Sequence, residues 1–85
     1  MTPDVIRVKT LPDYWLQAEF ENGELRRFDM KPYLNYPAFS SLKDDALFEK
    51  AHVLHGTVAW SDEIDISPDT VYLAGQAVLI GNSRD

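Results

Sequence analysis

The stretch YWLQAEFENGELRRFDM, Tyr14 to Met30, decides how this chain folds, because it admits two hairpins one residue out of step with each other. From Tyr14 to Phe20 the residues alternate. Tyr14, Leu16, Ala18 and Phe20 fall on one face, and Trp15, Gln17 and Glu19 on the other, the period of a strand with one buried side. A two-residue Asn22-Gly23 turn would set Leu16 opposite Asp29 and Ala18 opposite Arg27, mixing apolar and charged groups on one face. A three-residue loop, Glu21-Asn22-Gly23, is a type I turn closed by Gly23 in the left-handed region. It pairs Leu16 with Phe28, Tyr14 with Met30, Gln17 with Arg27 and Trp15 with Asp29. The second register is preferred, because a slip of one residue carries the whole apolar set to the wrong side.

Around this hairpin the rest of the chain is read by the same rules. Val5 to Lys9 alternates and supplies a first strand, which Leu11-Pro12-Asp13 breaks. Pro32 suits the first position of one short helical turn, and Pro37 soon interrupts it. Asp45 to Ala51 carries an apolar stripe of Leu47, Phe48 and Ala51, together with Leu42 before it. Asp44 or Ser41 is its candidate cap, and the stretch predicts a short helix. His52-Val53-Leu54 and Thr57-Val58-Ala59-Trp60 predict a strand pair turning at His55-Gly56. Ser67-Pro68-Asp69 is a helix start: an N-cap, a proline at N1 and a carboxylate at the positive end of the dipole. Ile66 and Val71 are placed to staple it, and Gly75 stops it. Ala77 to Ile80 reads as a last strand or a docking tail, and residues 81–85 as a frayed end. The fold class is therefore α+β: a small antiparallel sheet, made of an N-terminal three-strand meander plus a strand pair, packed against two short helices. Residues 1–85 form one domain.

Composition narrows the function classes. A chain of 85 residues buries only roughly 60–65% of its unfolded surface, which leaves little stability to hold strained catalytic geometry. It has no cysteine, so disulfides, thiolate zinc sites and thiol nucleophiles are excluded. A secreted domain this small usually needs such staples, so a cytoplasmic location is expected. No apolar run approaches the length that spans a bilayer, and the N-terminus has no signal pattern. The net charge of −6 and the scattered basic residues, of which only Arg26 and Arg27 are adjacent, speak against nucleic-acid binding.

The acidic run WSDEIDISPD, Trp60 to Asp69, is the strongest candidate for chemistry. Asp62, Glu63 and Asp65 do not match a calcium loop. Asp69 is explained by the helix start, and Asp62 and Glu63 by a solvated loop. Asp65 is left to fix the loop by accepting backbone N–H groups. His52 and His55 are expected on opposite faces of a strand, with no further ligands at zinc spacing. No nucleophile–base set and no glycine-rich phosphate loop is present. No metal and no cofactor is predicted. The candidate binding residues are Trp15, Trp60, Asp65, Tyr72 and Asp29, aromatic groups and carboxylates left over from the core and the caps.

Four segments carry a family resemblance: PDYWLQAEFENGE with FDM, FSSLKD, LF, and VAWSDEIDISPDTVY. Taken in order, from about Val5 to Tyr72, they resemble the bacterial domain-of-unknown-function 2442 family. The family's tryptophan, acidic and helix-start pattern falls on Trp60, Asp65, Ser67, Pro68, Asp69 and Tyr72. Its strand pattern falls on Leu16, Phe20, Gly23, Phe28 and Asp29. One departure is Asp62-Glu63, where many members carry a glycine, so the family's tight loop is not implied here. The resemblance implies a small α+β domain with no established activity. It also implies a neighbouring small partner protein, in an arrangement similar to toxin–antitoxin pairs.

The expected function is a non-catalytic protein-interaction module that self-associates or binds a small partner protein. An exposed patch around Trp15 or Trp60 would favour it. The alternative is a small-ligand-binding or enzymatic domain whose pocket is lined by Trp60, Asp65 and Tyr72.

Overall fold

The computed structural model describes residues 2–78, and its first half is the predicted meander with the predicted register. Strand β1 (Val5–Leu11) pairs antiparallel with β2 (Trp15–Phe20), and β2 with β3 (Leu25–Asp29). Leu16 lies opposite Phe28, Gln17 opposite Arg27 and Trp15 opposite Asp29. The loop is the three-residue one. Phe20 N donates to Glu24 O at 2.9 Å, Gly23 N to Phe20 O at 2.9 Å, and Gly23 has φ +90°, a conformation that a Cβ makes costly.

Alternation becomes burial as expected. Leu16, Ala18 and Phe20 are fully buried, whereas Trp15, Gln17 and Glu19 are only partly covered. The inner face joins Phe28, Met30, Leu34, Leu42, Phe48 and Val71 in a single apolar cluster. No polar or charged residue is buried among the described residues, so the core carries no desolvated charge.

Two features of the first half differ from expectation. β1 runs on to Leu11, with an irregularity between Val5 and Arg7. Tyr14 is not a strand residue: Pro12–Tyr14 is a tight turn in which Asp13 and Tyr14 both have positive φ, 66° and 64°. Tyr14 still faces Met30, whose N–H donates to its carbonyl at 3.0 Å. Proline fixes the entry to the turn and Lys31 holds its far side: the ammonium donates to Asp13 O at 3.0 Å and to Asp13 Oδ2 at 3.2 Å.

After β3 come a helical turn at Lys31–Tyr33 and a 3-10 segment at Pro37–Lys43. Helix α1 (Asp45–Phe48) is shorter than the predicted 45–51, and its cap is Asp44, whose carboxylate accepts from Ala46 N at 3.0 Å. Strands β4 (His52–Leu54) and β5 (Thr57–Ser61) form the expected pair across His55-Gly56. His52 is exposed on β4, and His55 lies in the turn itself.

The acidic run keeps Asp62 and Glu63 exposed at a loop tip, as the sequence reading has them, but adds an element that reading lacks. It forms a third strand, β6 (Ile64–Ile66), paired with β5 across a two-residue turn at Asp62-Glu63. That turn closes without a glycine, and Ser61 Oγ accepts from Glu63 N at 3.2 Å. Helix α2 (Pro68–Ala74) starts at the predicted cap, with Ser67 Oγ accepting from Thr70 N at 3.2 Å. It stops at Gly75, which is extended rather than left-handed. Glycine is needed because an added Cβ would lie 2.3 Å from Val71 O.

Strand β7 (Gln76–Ala77) then pairs with β3. The described residues therefore hold two antiparallel sheets, β1-β2-β3-β7 and β4-β5-β6, rather than one, with short helices beside them. This is a small α+β fold. The expectations for residues 79–85 lie outside the described residues.

Candidate functional site

The five residues singled out in the sequence divide among four places. Trp60 belongs to the core: it is 4% exposed, its indole N–H donates to Phe48 O at 2.9 Å, and its ring stacks on Phe48. β5 alternates Val58 and Trp60 inward, so the ring that read as a surplus aromatic is filling space between α1 and the second sheet. Asp65 is exposed on β6. Among the described residues its carboxylate takes no hydrogen bond, so it does not fix the loop; the Ala59–Asp65 backbone pairing does.

Tyr72 has a bonding role. Its hydroxyl donates to Glu24 Oε2, its ring packs edge-on against Phe20, and the Arg26 guanidinium lies 4.0 Å over its face. Arg26 also donates to Tyr72 O at 2.8 Å and to Glu24 Oε1 at 2.6 Å. The hydrogen bond from Tyr72, followed by those from Arg26, holds the Glu24 carboxyl below its usual range. This network ties α2 to the first hairpin. Trp60, Asp65 and Tyr72 do not line a common pocket.

Trp15 and Asp29 do come together. They are cross-strand partners on the outer face of the four-stranded sheet. Alternation places Leu11, Lys9 and Arg7 of β1, Gln17 and Glu19 of β2, and Arg27 and Leu25 of β3 on the same face. None of these is buried among the described residues. A cleft of about 240 Å³ opens at one end of this face, walled by Trp15, Arg27, Asp29, Pro32, Tyr33 and Gln76. A second depression of about 190 Å³ lies at the other end, beside Arg7, Lys9, Gln17, Glu19 and Leu25.

The charges on this face are mostly matched. Arg7 Nε donates to Glu19 Oε1 at 2.9 Å. Asp29 Oδ1 accepts from Lys31 N at 2.9 Å and from Lys31 Nζ at 3.0 Å. With two further acceptors on Asp13, the ammonium of Lys31 is saturated; it also sits 5.3 Å from the centre of the Trp15 ring. The hydrogen bond to Asp29, then those to Asp13, raise the Lys31 pKa. Arg27 is different. Its Nε donates to Gln17 Oε1 at 3.0 Å, and its other four N–H groups have no acceptor among the described residues.

Arg27, Tyr33, Gln17 and Gln76 were not marked as site residues from sequence, though the signal for Arg27 was available. In a strand, adjacent arginines point to opposite faces, so the Arg26-Arg27 pair sends one guanidinium to the α2 side and the other to the Trp15 side. Tyr33 and Gln76 enter the cleft through the turn after β3 and through β7, which no local pattern places.

No group of three or more His, Cys, Asp or Glu among the described residues is arranged to hold a metal. No helix among them is long and apolar enough to cross a membrane.

Fold and face together define a small two-sheet α+β domain with one open, mixed-charge sheet surface. By sequence the chain belongs to the family described as protein of unknown function (DUF2442), whose model matches residues 5–77. No curated protein and no solved structure gives a significant match.

Proposed function

We propose that this chain is a protein-interaction module that docks a short, extended segment of a partner protein on the outer face of its four-stranded sheet. The observation that carries this reading is the asymmetry of β2: Leu16, Ala18 and Phe20 are sealed, while Trp15, Gln17 and Glu19 face a side that no described element covers.

Size selects the occupant. Strands about 4.8 Å apart, with about 3.4 Å per residue, make this face roughly 15–19 Å by 17–23 Å. Its projected area is a third to a half of the roughly 800 Å² per partner that a stable complex buries. A second copy docked there would make a weak dimer; an extended segment fits without needing more area. The cleft of about 240 Å³ is smaller than the roughly 300–1,000 Å³ of most small-molecule sites, and its size suits one or two side chains. These features favour a segment over self-association and over a free metabolite.

The test is site-specific photo-cross-linking in the native cells, with a benzophenone amino acid at Gln17 and, as control, at Lys50, which is exposed outside this face. The expected result is a discrete adduct from position 17 that is absent from position 50. An adduct of twice the chain mass assigns the face to a second copy and overturns the choice of occupant. Adducts from position 50 alone, or from neither position, overturn the reading of the face.

A further inference from the structure

Resting on that reading of the face, we infer that the cleft between Trp15 and Tyr33 receives a carboxylate of the docked segment, an Asp or Glu side chain, which pairs with Arg27 while an adjoining apolar side chain lies against the aromatic walls.

The inference rests on which donors are spent. Of the cations on this face, Arg7 is matched by Glu19, and Lys31 by Asp29 and Asp13. Lys31 has three N–H donors, and all three have acceptors at 3.0 to 3.2 Å. Lys9 and Arg27 have no anion among the described residues. Only Arg27 lies in the cleft. Its Nε is occupied by Gln17, which fixes the plane of the guanidinium and leaves its terminal N–H groups as a fork. That fork matches a carboxylate with two parallel hydrogen bonds.

The backbone beneath Arg27 is held on both sides, by Gln17 of β2 and Gln76 of β7, so its side chain projects from a rigid base. Trp15 and Tyr33 flank it, and Lys31 over the Trp15 ring keeps that wall in place. Lys31 offsets the charge of Asp29 only in part, because it is shared with Asp13, so the incoming carboxylate has to bond on the Arg27 side of the cleft. A cation is the less favoured guest, since the carboxylate that would take it is already bonded twice.

A nucleic-acid strand is disfavoured by number. Two unmatched cations would neutralise about two phosphates, where phosphate-tracking proteins commonly use six to ten. The formal charge of the whole chain is −6. Screening over about 8 Å at physiological salt lets an isolated carboxylate meet Arg27 without feeling the distant acidic surface.

The two indole N–H resonances of the intact, isotope-labelled chain give separate readouts. Trp60 is bonded to Phe48 O and reports the fold; Trp15 reports the cleft. The probe is the blocked peptide acetyl-Ala-Glu-Phe-Ala-amide, compared with the same peptide carrying Gln in place of Glu and with an octauridylate oligonucleotide. The expected result is a saturable shift of the Trp15 signal with the Glu peptide and an unmoved Trp60 signal. The dissociation constant should rise roughly tenfold or more with the Gln peptide or with Arg27→Gln. Arg27→Lys, which keeps the charge and loses the fork, should fall between.

Equal binding of the Glu and Gln peptides overturns the carboxylate inference and leaves the face standing as a docking surface. Tighter binding of the oligonucleotide than of the Glu peptide also overturns it, in favour of nucleic acid. Peptide-induced shifts confined to residues away from the outer face overturn both readings, and no shift at any residue overturns the inference, leaving the face to the cross-linking test.

Discussion

The two tryptophans should respond unequally to truncation, and the sizes follow from where each ring lies. Trp60 is 4% exposed and its N–H reaches Phe48 O at 2.9 Å. A buried indole removes roughly 150–250 Å² from water, worth about 4–6 kcal/mol at 25 cal/mol per Å². Aromatic-to-alanine changes in cores cost about 3–5 kcal/mol. An 85-residue domain has on the order of 4–13 kcal/mol in total, so Trp60→Ala should remove about a quarter or more of the stability. Trp60→Phe keeps a ring against Phe48 and loses the donor. The orphaned carbonyl still accepts from Ala51 N at 3.3 Å, which limits the cost to about 1–2 kcal/mol. Trp15 is only partly covered, so the same arithmetic gives a smaller loss for Trp15→Ala, about 1–3 kcal/mol. Urea unfolding followed by far-ultraviolet circular dichroism measures all three, provided the m-value stays constant across the set. A loss below about 1 kcal/mol for Trp60→Ala, or a larger loss for Trp15→Ala than for Trp60→Ala, would refute the assignment of these rings.

Gly23 has φ +90° and open space where a Cβ would go. Gly23→Ala should therefore cost about 1–2 kcal/mol from backbone strain alone, and Gly23→Asn less; urea midpoints of the two variants check this. The depressed Glu24 carboxyl contributes stability above its unfolded pKa of about 4.3, and that contribution is lost as pH falls through the lower folded value. The stability advantage of the native chain over Glu24→Gln should thus be constant from about pH 6 to 7 and shrink steadily below pH 4. A gap independent of pH in a series of urea titrations would remove Tyr72 and Arg26 as its cause.

The first hairpin was legible because three signals agree there: alternation, a glycine at the one position that needs positive φ, and the penalty for mixing charges into an apolar face. The cap at Ser67 was legible for a similar reason, since side-chain oxygen, proline and aspartate fall in the order that a helix start requires. The second sheet was read incompletely. Ile64-Asp65-Ile66 is a period-two pattern, but it spans only three residues, and the neighbours Asp62 and Glu63, which lack the glycine of a common hairpin turn, read as a solvated loop.

Among the candidate site residues, Trp15 and Asp29 were placed together by the register alone. No local pattern separates Trp60 as core from Trp60 as a binding residue, because its partner Phe48 arrives from a helix whose packing the sequence does not show. The cleft walls Tyr33 and Gln76 depend on β7 folding back onto β3, a long-range pairing that two residues cannot announce.

The division of the sheet into a sealed side and an open side is tested most directly by cysteine accessibility, which the chain's lack of native cysteine makes clean. Single cysteines at positions 15 to 20 should react with a thiol reagent in alternation: fast at 15, 17 and 19, and slowed to the rate of global opening at 16, 18 and 20. Uniform rates along the strand, or protection at 15, 17 and 19 in the isolated chain, would contradict it.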